Sequence, residues 1–241
     1  MATVKQHYAE VLADVYSWMQ GGFDLAIARN LEFFDNHHIH PSQSGLAVDL
    51  GAGCGFQSIP LARLGFEVTA IDLDAKLLEE LKANSQELKI KTIQEDLINL
   101  QRYVDTQAEL IVCMTDTILH LESKEKLISL FEKAFASLED KGKFIITFRD
   151  LTNELLDLDR LIPIKSDDRT IFTCFLEYEP ETVKVHDIVY RKHNNDWQLH
   201  KSFYRKLRLS KQWIERQLKD TGFSQIDSTV NKGLVTAIAH K

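Results

Sequence analysis

Hydrophobic positions along the chain follow two periods, and the way the periods alternate predicts the architecture. Residues 4 to 19 place Val4, Tyr8, Val11, Leu12, Val15 and Met19 at helical spacing, and after Gly21 and Gly22 a second helix presents Ile27, Leu31 and Phe34. LAVDLG (46–51) is a short apolar run ending at glycine. A helix through Leu61 and Leu64 follows it and stops at Gly65, so Pro60 must sit in its first turn. FEVTAIDLD (66–74) reads as a strand, and AKLLEELKANSQEL (75–88) as a helix that Asp74 caps and that carries Leu77, Leu78, Leu81 and Leu88. Further strands are expected over IKTIQED (90–96), AELIVCM (108–114) and GKFIITF (142–148). Before the last of these, a helix capped by Ser123 turns Leu127, Leu130, Phe131, Ala134 and Leu138 inward. Strands dense in Val, Ile and Leu, separated by amphipathic helices, imply a parallel sheet covered on both faces.

After residue 150 the period changes. TIFTCFLEYEP (170–180), ETVKVHDIVYR (181–191) and DWQLHKSFYRKLRL (196–209), separated by Pro180-Glu181 and Asn194-Asn195, predict an antiparallel three-stranded meander. On its third strand Trp197, Leu199, Phe203 and Leu207 share one face, and His200, Ser202, Tyr204, Lys206 and Arg208 the other, as in a cap with one buried and one wet side. SKQWIERQLKDTGF then predicts a helix between Ser210 and Gly222, followed by two strands, SQIDSTV and LVTAIAH. The fold class is therefore α/β: a three-layer, doubly wound, mostly parallel seven-stranded sheet with an antiparallel meander inserted.

Composition narrows the function classes. At 241 residues, 44% hydrophobic and 27% charged, the chain buries a full core without staples. Its apolar runs fall short of a membrane span and its first residues lack the blocks of a signal peptide, so a cytoplasmic protein is expected. Cys54, Cys113 and Cys174 are far apart and form no C-x-x-C pair, which argues against a disulfide framework and against a metal site; HHIH at 37–40 reads as a solvated loop. The formal charge of −7 disfavours nucleic acid as the main partner.

VDLGAGCG (48–55) carries the strongest signal. Ligands of open parallel sheets bind beyond the carboxyl ends of the strands, where glycines let the backbone approach closely. A dinucleotide fingerprint needs glycine at position 56, which is Phe56, and no phosphate-binding Gly-Lys-Ser/Thr follows. What remains is a D-x-G-x-G-x-G loop with Asp72 ending the next strand and Asp96 the one after. Asp72 stands where a carboxylate accepts both hydroxyls of a ribose.

These pieces resemble the class I S-adenosylmethionine-dependent methyltransferases. VDLGAGCG, AIDLD (70–74), QEDLINL (94–100), IVCMTDTILHL (111–121) and the terminal strand pair occur in the required order, so the resemblance covers most of 42–150 and 210–241. It implies S-adenosyl-L-methionine as cofactor; the acidic charge, and C-M-T-D in place of an N-P-P-Y-like motif at the fourth strand, favour a small-molecule methyl acceptor as partner. It assigns cofactor contacts to Asp49, Gly51, Ala52 and Gly53, to Asp72 and Leu73 at the ribose, to Asp96 and Leu97 at the adenine, and to Met114 and Thr115 flanking the site. Related enzymes use a mobile N-terminal segment, which makes residues 1–41 a helical lid with Tyr16 and Trp18 facing the cofactor. Residues 42–150 are then the binding core, 151–209 a cap or substrate region, and 210–241 its last helix and strands.

Several residues keep two readings. Asp49 suits loop organisation better than ligand contact, and His120 is either a general base or a histidine shaping the pocket. Tyr178, Tyr190, Tyr204 and Arg149 would choose the acceptor if the inserted sheet arches over the site. A nicotinamide oxidoreductase and a noncatalytic binding protein of the same fold are the alternative functions, and either a monomer or a homodimer is compatible with the chain.

Overall fold

The computed structural model describes residues 4–104, 106–194 and 196–241; Asn195 of the predicted Asn194-Asn195 turn lies outside them. Residues 4 to 19 form an uninterrupted helical path of changing winding: α1 (Val4–His7), a π-turn (Tyr8–Leu12), a 3-10 turn (Ala13–Val15) and α2 (Tyr16–Met19). Beyond Gly21 and Gly22, both at positive φ, α3 runs Phe23–Asn36.

The main sheet holds β1 (Leu46–Leu50), β2 (Glu67–Asp72), β3 (Ile90–Gln94), β4 (Ala108–Cys113), β5 (Leu138–Arg149), β10 (Gln225–Asn231) and β11 (Leu234–His240), in the order β10-β11-β5-β4-β1-β2-β3. The five strands expected to be parallel are parallel, and only β11 and β10 run antiparallel at one edge. The connecting helices are α4 (Ser58–Arg63), α5 (Ala75–Asn84), α6 (Lys124–Ser137) and α7 (Lys211–Thr221). Pro60 sits in the first turn of α4. The side chains of Asp74, Ser123 and Ser210 cap α5, α6 and α7, and Gly222 ends α7 at φ 118°. One face of the sheet packs Leu50, Ile111 and Phe144 against Leu127, Phe131 and Ile214; the other packs Val112 and Ile145 against Phe34 and Leu61. No helix among the described residues is long and apolar enough to cross a membrane.

Three expectations shift. The helix expected to Leu88 ends at Asn84, where Ser85 turns the chain, and Leu138 opens β5 instead of closing α6. The insertion is a separate sheet of four strands, not three: β6 (Leu161–Ser166), β7 (Thr170–Tyr178), β8 (Thr182–His193) and β9 (Asp196–Leu207). Pro163 hides β6 from a pattern reading, yet an edge strand tolerates a proline because its outer side needs no donor. The third difference is in orientation. Tyr204 is buried at 6% exposure while Trp197 and Leu199 stand open at 44% and 45%, so much of the apolar-looking face of β9 is the outer one.

A lone carboxylate in the otherwise apolar β4 organises the entry to the sheet. Glu109 is buried and accepts four hydrogen bonds, from Ser42 N, Ser42 Oγ, Gln43 N and Gly45 N, at 2.6–3.0 Å. Burial alone would raise its pKa, but the donors outweigh it and hold the carboxyl below its usual range. Its stabilisation is therefore present at neutral pH and is lost as pH falls through the folded-state pKa. Glu109→Ala should cost about 1–3 kcal/mol in urea denaturation at pH 7, since it removes four charge-assisted hydrogen bonds that hold the 42–45 loop. An unchanged midpoint would mean the 42–45 loop is held by something else.

Candidate functional site

A cavity of about 460 Å³ opens at the carboxyl ends of β1 to β4, with β9 and the N-terminal helical segment as its roof. Its floor brings together Gly51, Gly53, Asp72, Leu73, Asp96, Leu97 and Thr115, and Tyr16 and His120 stand in its walls. Asp72 closes the floor: its two carboxylate oxygens accept the amides of Gly53 and Asp74, each at 2.8 Å. Burial pushes the Asp72 carboxyl up while these amides pull it down. A carboxylate offers about four lone-pair directions, so two amides leave acceptor capacity toward the cavity. Asp96, at the end of β3, gives one oxygen to the amide of Ile98 at 3.0 Å and lines the cavity beside Leu97 and Ile98.

Two glycines in the loop do different work. A Cβ on Gly51, at φ 75°, would fall 2.4 Å from the Thr117 side chain, so this glycine is required by packing. A Cβ on Gly53, at φ 52°, would meet only Leu77 and Tyr16 at 3.9 Å, so its bare backbone faces the cavity. Tyr16 closes that side by stacking on Phe56, with ring centroids 5.8 Å apart.

The roof is tied to the floor by a buried carboxylate. Thr115 and Asp116 leave β4 with positive φ of 58° and 66°, a conformation costly for a β-branched residue. Thr147 holds them there, its hydroxyl accepting Thr115 N at 2.8 Å and its carbonyl accepting Asp116 N at 3.0 Å. The turn presents Asp116 to the backbone amide of Arg149 at 2.8 Å, to the Arg149 guanidinium, and to Lys206 Nζ of β9 at 2.7 Å. Burial opposes the charge, yet the Lys206 and Arg149 cations keep Asp116 well below the usual carboxylate range.

Beside this cluster, Tyr204 is sandwiched between His7, at 4.4 Å between centroids, and His120, at 5.2 Å. His7 Nε2 bonds Asp187 of β8 at 2.8 Å, so α1 is pinned to the inserted sheet inside the protein. His120 Nδ1 is buried without a hydrogen-bond partner, and burial followed by the Lys206 charge depresses its pKa to about 3.

Comparison with known proteins agrees with this geometry. Residues 47–142 match a protein family described as "Methyltransferase domain". Over that stretch the chain is similar to S-adenosylmethionine-dependent methyltransferases. Its fold is shared over 96% of both chains with the CcbJ methyltransferase from Streptomyces caelestis (TM-score 0.79, 15% identity). DesVI from Streptomyces venezuelae shares it over 94% of this chain and 97% of that one (TM-score 0.77, 14% identity). In sequence it is 33% identical to YqeM of Bacillus subtilis over 102 residues, 42% of this chain and 40% of that protein. It is 25% identical to the glycine/sarcosine N-methyltransferase of Aphanothece halophytica over 183 residues, 74% of this chain and 66% of that protein. The chain thus spans under two thirds of the length of each of these two relatives.

Four residues that the family resemblance points to the cofactor stand off the cavity. Asp49 is buried under the loop, where it accepts Ser58 Oγ at 2.6 Å; burial raises its pKa to about 7, and it ties the loop to α4. Ala52 is buried within the loop. Met114 follows Leu110 and Val112 in the alternation of β4 and so faces α3 on the opposite side of the sheet. Trp18 turns to the inserted sheet, donating to Asp167 at 2.7 Å with Lys165 over its ring. Of the candidate acceptor residues only Tyr204 lines the cavity; Tyr178, Tyr190 and Arg149 do not. The N-terminal segment is a packed wall, with Val11, Leu12 and Val15 buried against Phe172 and Val189.

Asp116 and its partners are separated by 33 and 90 residues, so no local pattern signals the cluster. Replacing Asp116 with Asn should strand Lys206, at 12% side-chain exposure, without a counter-charge, and cost about 3–5 kcal/mol of stability at pH 7. Because the folded-state pKa of Asp116 is depressed, the wild-type advantage is fully present above the ordinary carboxylate range and is lost as pH falls from there through the folded-state pKa. Equal melting of both proteins at pH 7 would refute the clamp.

Proposed function

We propose that the chain transfers a methyl group from S-adenosylmethionine to a small-molecule acceptor by in-line displacement. The observation that carries the reading is the half-buried Asp72 carboxylate, facing the cavity next to the bare backbone of Gly53 and one strand away from Asp96. These residues fit an adenosyl cofactor. Asp72 would accept the ribose hydroxyls, Leu73, Leu97 and Ile98 would enclose the adenine with Asp96 at its edge, and Gly51 and Gly53 would pass beneath the methionine part with Tyr16 across from them.

Bound there, the cofactor supplies a methyl group already activated by its sulfonium. The protein's own task is alignment in a water-poor chamber, an effect worth roughly 7–11 kcal/mol in well-oriented systems. Tyr8, His120, Phe203 and Tyr204 wall the side of the cavity away from the glycine loop, so they would hold the acceptor. His120, depressed to about 3, stays neutral at physiological pH and is a weak proton store. An acceptor that carries a free lone pair suits such a site, and a neutral amine is the simplest one. Two similar proteins act on amines by their names: the glycine/sarcosine N-methyltransferase of Aphanothece halophytica and the sugar N-methyltransferase KedS8 (TM-score 0.73, 10% identity). Phe56, the residue after Gly55, supports this reading over a nicotinamide enzyme, because it stands where a dinucleotide loop has its last glycine.

Isothermal calorimetry tests the reading. S-adenosylhomocysteine should bind and NAD should not, and Asp72→Ala should weaken S-adenosylhomocysteine at least about tenfold, the loss of about 1.4 kcal/mol. Binding of NAD with no response to S-adenosylhomocysteine would reject the methyltransferase reading.

A further inference from the structure

A second cavity, of about 340 Å³, opens on the α3 side of the main sheet where β4 and β5 end. Open α/β sheets bind their ligands beyond the carboxyl ends of parallel strands, and a volume of this size holds a small molecule. The two cavities have only Thr115 in common among their lining residues.

Strand register builds the floor. Thr147, Thr236 and Thr229 lie directly opposite one another across β5, β11 and β10, so three hydroxyls form one rung. Two residues further into the sheet on the same face, Ile145 and Ile238 pack against Phe34 in the ordinary apolar way. The rung therefore marks where packing stops and the cavity begins. Asn231 follows Thr229 on that face of β10, and α3 supplies the facing wall with Arg29, Phe33 and His37. The Phe33 and His37 rings lie 4.6 Å apart, and Arg29 is steadied by one bond from Nη1 to the Gln20 carbonyl at 3.2 Å.

What these walls offer is protons. Thr147 is buried at 4% exposure, and its oxygen already accepts the Thr115 amide at 2.8 Å. The Thr115 hydroxyl in turn accepts the Gln57 carboxamide at 3.2 Å. Among the described residues neither hydroxyl of this pair donates to the protein from Thr147, nor do the side chains of Thr229, Thr236 and Asn231 take any partner. A guanidinium stands beside them with further N–H groups to give. Neither aspartate nor glutamate lines the cavity, in a chain whose formal charge is −7. Such a wall is matched by a group that only accepts hydrogen bonds and carries negative charge.

We propose that this cavity is a second ligand site, for a small organic anion whose carboxylate or phosphate meets Arg29 and the threonine rung while its flat body lies along Phe33, Met114 and Leu234. The site is separate from the cofactor chamber, yet its occupant touches Thr115, the first residue of the left-handed turn that presents Asp116 to Lys206 of β9.

Isothermal calorimetry of the full chain tests the site with three probes of similar size: phenyl phosphate, benzoate and phenol. At least one of the two anions should bind and phenol should not; which anion binds tells phosphate from carboxylate. Arg29→Gln should weaken that binding about tenfold, the loss of a charge-assisted hydrogen bond, and Thr236→Val by a smaller factor. The anion should still bind when S-adenosylhomocysteine is present in excess. The two variants report on this site whether or not S-adenosylhomocysteine binds, so the methyltransferase reading can fail without deciding this one. No binding of either anion, phenol binding as tightly, indifference to both variants, or displacement by S-adenosylhomocysteine would overturn the assignment. Should the variants fail to fold, a wild-type crystal soaked with the anion that binds decides the same point. Its charged group within hydrogen-bond reach of Arg29 and Thr236 supports the site, and any other seat overturns it.

Discussion

The carboxylate of Asp72 is the constraint on which the functional part of this molecule depends. It ends β2 and takes amides from two directions, Gly53 in the loop after β1 and Asp74 at the cap of α5, so two successive strand-to-helix turns share one anion. Carboxylate–amide bonds of this type are among the stronger hydrogen bonds in proteins because one partner is charged. With the loop fixed, the bare backbone of Gly53 is presented at a set height above the floor, and Tyr16 and Phe56 close one wall. The binding surface is therefore built before any ligand arrives, which lowers the entropy lost on binding.

A second anion performs the corresponding task for the roof. Asp116 is held in a left-handed turn at the end of β4 and bridges the end of β5, through Arg149, to β9 of the inserted sheet, through Lys206. The strain of two consecutive positive φ angles is tolerated because Thr147 and the two cations over-determine the turn. Its consequence is functional: β9 is set so that Tyr204 reaches inward between His7 and His120, and the Lys206 charge helps to keep His120 neutral. Core, insertion and N-terminal segment meet at this point, and the acceptor end of the cavity is what they enclose.

Much of the main sheet was legible in the sequence because its signals are local. Periodicity, the caps at Asp74, Ser123 and Ser210, and the stop at Gly222 each depend on a few neighbouring residues. The acids at the strand ends were legible for the same reason, since Asp72, Asp96 and the loop glycines are placed by strand boundaries alone. What stayed hidden depends on distant partners. Trp18 reads as a lid aromatic in the sequence, but the inserted sheet offers it Asp167; motif position points Met114 to the cofactor, although the alternation of β4 turns it to the other face. β6 was masked by Pro163 and by its exposure on an edge. Hydrophobicity alone does not give the buried side of β9: on the apolar-looking face Leu207 is buried but Trp197 and Leu199 are exposed, whereas Tyr204 and Lys206 of the polar-looking side are covered by His7 and Asp116.

The most direct test of the role given to Asp72 is a crystal structure of the chain with S-adenosylhomocysteine. The expected result is a ribose whose two hydroxyls donate to Asp72 while the amide of Gly53 keeps its own bond to the same carboxylate, with the homocysteine portion running along Gly51 and Gly53 toward Tyr16. A ligand seated elsewhere, or one that leaves the Asp72 carboxylate without a ribose contact, would contradict it.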